Sequence, residues 1–365
     1  DTGIREILDT PETVVVLGNA HIKRAVIPKL KYQLGRPAYI ESDAKVEGNV
    51  FATKVHVAQG AQIMGTVFGR DEVRLNDNTQ VQGVVISRSS VVTRLGVETK
   101  GLSTKQSIMQ GSLIVNGPVL CLSDMQIPPG SVIRDFVWCL GSVTIGDGCE
   151  VSGVLASGSV TIGANCSIAV IYSQKDAVAG PNLTSHVIRC LGKLAFDSRT
   201  RAQMVLVKGD ARLADFCEVQ FIQTDGDLVV GKSCRLGALV GRNVTVGEQS
   251  QLDYIEAFGQ LKLGDNVQVK KMARAGRGCT VGKHVEVRDW SIVATEGSIE
   301  FGTGIHLNGR HVGRDNLFYR SEAVDVDAAI SNAQKRRTKG AILTALMDAE
   351  LHKTITETTG LELQI

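Results

Sequence analysis

A short pattern returns along most of this chain at intervals of about 17 residues, and a period of that length leaves few folds open. Its clearest copies are IGDGCEV (Ile145 to Val151), IGANCSI (Ile162 to Ile168), VGKSCRL (Val230 to Leu236), LGDNVQV (Leu263 to Val269) and VGKHVEV (Val281 to Val287). Each reads as an apolar residue, often Gly, two polar residues, a small or apolar residue, any residue, and an apolar one. Copies start at 127, 145, 162, 196, 213, 230, 246, 263 and 281, and positions 40, 57 and 75 continue the series backward. Near 92, 110 and 179 the register predicts further turns in which the pattern has decayed.

A second pattern runs between the copies: GSVTI from Gly141 and again from Gly158, GDLVV from Gly226, GQLKL from Gly259 and GSIEF from Gly297. Apolar residues alternate within these runs, which is the period of a strand with one buried face. Glycines at fixed offsets are expected to supply positive φ at corners. About three short strands and three corners use up one repeat, and successive coils then stack in parallel at about 4.8 Å. The fold expected is an all-β solenoid, a parallel β-helix of about sixteen coils. Val151, Ile168, Val219, Leu236, Leu252, Val269, Val287 and Leu307 share one register and are expected to point inward. Aromatics make up only 4% of the chain, which suits a narrow interior lined by aliphatics.

Three segments follow: 1–38 as a degenerate N-terminal coil or cap, 39–312 as the β-helix, and 313–365 as a helical tail. In the tail Leu343, Met347, Leu351 and Ile355 recur at i+4 and form one apolar stripe on a helix from about Ser321 to Thr356. Asp325 and Asp327 could cap its start.

Composition excludes several function classes. Formal net charge is +2, so nothing demands nucleic acid or an anionic membrane as partner. No stretch approaches 18 apolar residues, so no membrane span is expected. Asp1 rather than Met begins the chain, which leaves a removed signal or tail open. Eight cysteines form no CxxC or Cys/His zinc spacing, and reduced, buried thiols in the cytoplasm are expected. Cys149 and Cys166 lie 17 apart, as do Cys217 and Cys234. Stacked thiols could form a metal strip or a disulfide, but their slot also holds Ser250, Val267 and Val285, which points to a small core filler.

No catalytic constellation interrupts the repeat. His306 and His311, near Asp315, are the best-placed candidates for a general base. Three histidines converging on zinc are not spaced in the chain, and neither GxxxxGK[ST] nor a strand-associated GxGxxG occurs. No catalytic residue, cofactor or metal is therefore expected. The alternative function is a hexapeptide-repeat acyltransferase, trimeric and dependent on coenzyme A.

From Val46 to Leu75 the sequence VEGNVFATKVHVAQGAQIMGTVFGRDEVRL resembles the bactofilins, polymer-forming cytoskeletal proteins. Val46, Gly48 and Val50, then Val55, Val57, Gly60, Ala61, Ile63, Gly65 and Val67 carry the likeness, and Val81, Gly83 and Val85 repeat it. The resemblance implies a right-handed coil, assembly end to end without nucleotide, and no enzymatic activity. The partner it implies is another copy of the chain, with other cytoskeletal or envelope proteins beyond it. At the C-terminal end, self-association would fall to Phe301, Ile305, Leu307, Leu343, Met347, Leu351 and Ile355.

Overall fold

The computed structural model describes residues 13–27, 29–30, 33–34, 36–288, 292–302, 305–307 and 312–313. These form an all-β parallel solenoid of about 15 turns, with no helix among the described residues. The expected tail helix lies outside them. Two compact units divide the chain, one ending at His186 and one beginning at Val187.

In the first unit each coil lays strand on three faces. The first face carries pairs such as Lys45↔Gln62 and Val46↔Ile63. The second carries Val50↔Val67 and Phe51↔Phe68, and the third Val55↔Val73 and Val57↔Leu75. Further along, the third face becomes a separate row of short strands, Met125–Ile127, Val143–Ile145, Val160–Ile162 and Ala177–Ala179. The register expected from the repeat holds. The decayed turns near 92 and 110 are present, as Val91↔Ser107 and Thr93↔Met109, and the turn near 179 as Ile162↔Ala179. Around 92 the pattern is faint because buried rungs are polar, with Ser87, Thr93, Thr99 and Thr104 in place of aliphatics, and near 179 Ser185 is buried in the register row of Ile168. The Thr99 hydroxyl is satisfied by the Gly83 and Gly101 carbonyls, at 3.0 and 3.1 Å.

Solenoid strands begin before the regular repeat. Val14–Val16 pairs with Ala38–Ile40, and His21–Ile22 with Lys45–Val46. A short antiparallel pair, Lys29–Leu30 with Gln33–Leu34, interrupts the stacking.

The second unit repeats the plan. Arg201–Val207, Glu218–Thr224, Arg235–Gly241 and Gln251–Ala257 cover two faces of successive coils. The third face runs from Leu194–Phe196 to Ile299–Phe301. Val151, Ile168, Val219, Leu236, Leu252, Val269 and Val287 are all buried, as their shared register requires. Leu307 pairs with Val287 in the same row.

Hydrogen bonds between coils explain the motif. Gly146 N–H donates to the Ile127 carbonyl, Gly163 to Ile145 and Gly180 to Ile162, each at 2.8 Å. The following Asp reaches forward one coil. Asp147 Oδ1 accepts from Ala164 N–H, Asp215 from Lys232 and Asp265 from Lys283, each at 2.7 Å.

The glycines correct one expectation. Of the five that open GSVTI-like strands, only Gly297 has positive φ, and the glycine that follows the leading apolar residue of the motif does not use left-handed backbone. A Cβ on Gly282 would stand 2.6 Å from the Gly264 carbonyl carbon, so these glycines permit close stacking of backbone on backbone. Positive φ falls instead on the corner two residues later. Gly60, Gly96, Gly130 and Gly148 occupy it in some coils, Asn78, Asn165, Asn182 and Asn266 in others, and Arg199, Phe216, Ser233, Gln249 and His284 elsewhere.

Two measurements check this account. Val151→Asp or Leu236→Asp buries an unpaired carboxylate and should lower stability by about 4 kcal/mol or more in denaturant titration; either variant unfolding like the parent would overturn the register. Gly282→Ala should be clearly destabilising, whereas Gly148→Asn should be nearly neutral. At Gly148, φ is +66° and a Cβ would meet nothing within 4 Å.

Candidate functional site

Three features stand out as candidates for function: the terminal coil, the histidines and the buried thiols. At the terminal coil of the second unit, Cys279↔Ile299 and Val281↔Phe301 close the third face. Glu286↔His306 and Val287↔Leu307 form the last pair on the first face, and Val293↔Val312 that on the second. Among the described residues no strand pairs with the far side of Ile299–Phe301, His306–Leu307 or Val312–Gly313. Phe301 and Ile305 are half-buried there. This brings Phe301, Ile305 and Leu307 of the expected association site onto one coil. Leu343, Met347, Leu351 and Ile355 lie outside the described residues. So do His311 and Asp315, the expected companions of His306.

The remaining described histidines serve surfaces and corners. His56 Nε2 lies 3.1 Å from Glu72 Oε1, and its ring meets Tyr39 edge-on with centroids 5.0 Å apart. His21 Nε2 lies 2.6 Å from Glu47 Oε1. Pairs as exposed as these typically contribute about 0–1 kcal/mol. His284 occupies a positive-φ corner and is exposed.

All eight cysteines are free and buried. Cys149, Cys166, Cys217 and Cys234 stand in the corner row expected of them. Cys149 donates to the Pro128 carbonyl and Cys166 to the Gly146 carbonyl, both at 3.1 Å. Ser131 in the same slot donates to Pro128 at 2.8 Å, and Thr79 to Asn76 at 2.7 Å. A slot that takes thiol or hydroxyl interchangeably, each bonded to a nearby carbonyl, is a filler position. In the stacked pairs, the bond shared with the neighbouring thiol pushes one partner up, Cys166 and Cys217, with burial adding to it, and the other down, Cys149 to about 7 and Cys234 below the usual thiol range. Burial alone pushes Cys279 up to about 12. Among the described residues no group of three or more His, Cys, Asp or Glu could hold a metal ion.

The structure adds two pairings that sequence reasoning missed. Cys121 and Cys139 are register partners across adjacent coils. Glu256 and Arg274 are likewise opposed, and Arg274 Nη1 donates to Glu256 Oε1 at 2.9 Å while Tyr254 O–H donates to Oε2 at 2.8 Å. Both charges are buried. Each pair is 18 residues apart, one coil, and that spacing was the available signal.

No family model, curated protein or solved structure matches the chain. No helix among the described residues is long and apolar enough to cross a membrane.

Because all eight are buried, native thiols should label slowly, with labelling accelerating on unfolding. The raised Cys279 pKa also sets a pH dependence. The unfolded thiol ionises near its ordinary 9.0 while the folded one stays neutral to about 12. Stability from this group is full below pH 9 and is lost as pH climbs towards 12. Replacing Cys279 by Ala should flatten the fall in melting temperature over that window.

Proposed function

We propose that this chain is a non-enzymatic, self-associating structural scaffold of bactofilin type that joins through the ends of its coils without nucleotide. The observation that carries the reading is the terminal coil, whose last strands pair on one side only among the described residues. An unpaired edge of parallel strand is a template for another chain. Pairing one end with an opposite end is a heterologous contact, which propagates rather than closes. The regular coils support the same view, since their buried positions serve packing. Eight free, buried thiols suit a reducing compartment, the cytoplasm.

The segment 313–365 supplies a regulator for that edge. With its stripe of Leu343, Met347, Leu351 and Ile355 laid over the last coil, it would limit growth there.

Sedimentation and negative-stain microscopy of the full chain test the proposal. Assemblies should form without nucleotide and be indifferent to coenzyme A. Ile305→Asp should shorten them, and removing the residues after Val312 should lengthen them. A chain that stays monomeric both whole and truncated would overturn the reading, and saturable coenzyme A binding by a trimer would replace it.

A further inference from the structure

One outward row of the first unit is apolar at nearly every rung. On the first face, the outward rungs run Lys45, Gln62, Gln80 and Glu98 before the apolar Ile114 and Val132. On the third they mix His56, Arg74, Gln126 and Thr144 with Val92, Ile108 and Val178. The second face differs. Its outward row opens with Phe51, Phe68 and Ile86, each the register partner of the next. After Ser103 it continues through Leu120, Trp138, Leu155 and Tyr172. Phe51 and Phe68 stack with ring centroids 6.2 Å apart. These side chains are partly exposed, Leu120 at 37%. Beside the row, at the next corner, stand Leu122 at 50% and Leu140 at 62% exposure. In the second unit the corresponding row runs Leu206, Gln223, Val240, Glu256, Arg274 and is polar in alternate or adjacent coils. The apolar ladder is thus a local property of the first unit. It spans eight rungs, about 34 Å at a rise of about 4.8 Å.

We infer that this ladder is a lateral docking face for a second copy of the chain, packed face to face with its coils in reverse order. This rests on the self-associating reading above and adds a contact distinct from the coil ends. Two features select the occupant. A parallel solenoid presents one side chain per rung at a fixed rise, and another solenoid matches that rise along the whole row. The flanking charges select the orientation. The corner after the second face carries Lys54, Arg88 and Lys105 in the first four coils, with Arg70 already paired to Asp71. In the last four it carries Leu122 and Asp124, then Leu140, Ser157 and, in the eighth coil, Gln174, Lys175 and Asp176. A twofold axis along the strands, between the Ser103 and Leu120 rungs, brings the corners of the two central coils together. Lys105 then faces Asp124, whose Oδ1 accepts from Ser142 N–H at 2.8 Å and whose other oxygen is open to a second partner; both residues are exposed. The rungs oppose as Phe51 to Tyr172, Phe68 to Leu155, Ile86 to Trp138 and Ser103 to Leu120, so the one small polar rung meets the most exposed leucine of the row. The other twofold arrangement, coil on like coil, would set Lys100 against Lys105.

The test is the mass and width of assemblies formed by the full chain, with circular dichroism and melting as controls. Leu120→Asp sits at an exposed position, so it should leave the fold unchanged. It should weaken pairing at least about tenfold and narrow the assemblies, with their length unaffected. Lys105→Glu should weaken pairing too, and Lys105→Glu with Asp124→Lys should restore it. Ile305→Asp should do the converse of Leu120→Asp, cutting length and sparing width. Full-width assemblies of Leu120→Asp would overturn this inference and leave end-to-end assembly standing. No rescue by a double charge reversal that melts like the parent would overturn the reversed orientation; for a double variant that melts lower, Lys105→Glu with Asp124→Asn takes its place, and no gain over Lys105→Glu alone would overturn it. A monomeric chain whose Leu120→Asp variant loses melting temperature without changing mass would show that a segment of the same chain covers the ladder, and would overturn the inference. Normal width with no elongation in the parent would remove the end-to-end reading instead.

Discussion

The ladder of hydrogen bonds from each coil to the next fixes where everything else in this protein can go. Parallel pairing in register places each residue beside the one found a single coil earlier and a single coil later. A side chain's nearest partners are therefore about 17 residues away, and each row must suit itself. Aliphatics stack on aliphatics inside. Thiols stack on thiols at 149 and 166 and at 217 and 234, and the glycines at 247, 264 and 282 stack because backbone approaches backbone. Opposite charge meets opposite charge at Glu256 and Arg274, the one described place where a row is both buried and ionic. Such a pair costs desolvation and is retained by good geometry and added bonds, which Tyr254 supplies.

This dependence on the previous coil explains how much of the architecture could be read from the sequence. The period, the parallel stacking and the inward register were legible because one small set of residue types is imposed again and again. Coils with Thr93, Thr99 and Thr104 inside were detectable only as gaps, since a threonine fits a valine's space while hiding its apolar signal. The role of the motif glycines was misread for a related reason. A glycine needed for φ and a glycine needed for clearance look alike in one dimension, and Gly282 and Gly148 separate only once the neighbouring coil is in place.

The functional surface was less legible than the core. Phe301, Ile305 and Leu307 could be assigned to one terminal coil because they close the series of repeats. The apolar ladder from Phe51 to Tyr172 could not, because its members alternate with buried residues and hide among hydrophobic letters. Knowing which residue of each strand points outward is what separates Phe68 from Val67. The thiol pair at 121 and 139 escaped notice on similar grounds, since it belongs to the second face and not to the corner where the other pairs stand.

The corners carry a consequence for the denatured ensemble. Most left-handed corner positions are held by residues with side chains, among them Asn165, Arg199, Phe216, Gln249 and His284. Glycine would relax each of these turns in the native state but would also widen the conformations open to the unfolded chain, by about 0.4–1 kcal/mol per position. A solenoid meets that choice once per coil, so its corners accumulate. By keeping side chains at the bends, this chain accepts a small native strain many times over and begins folding from a narrower set of disordered conformations.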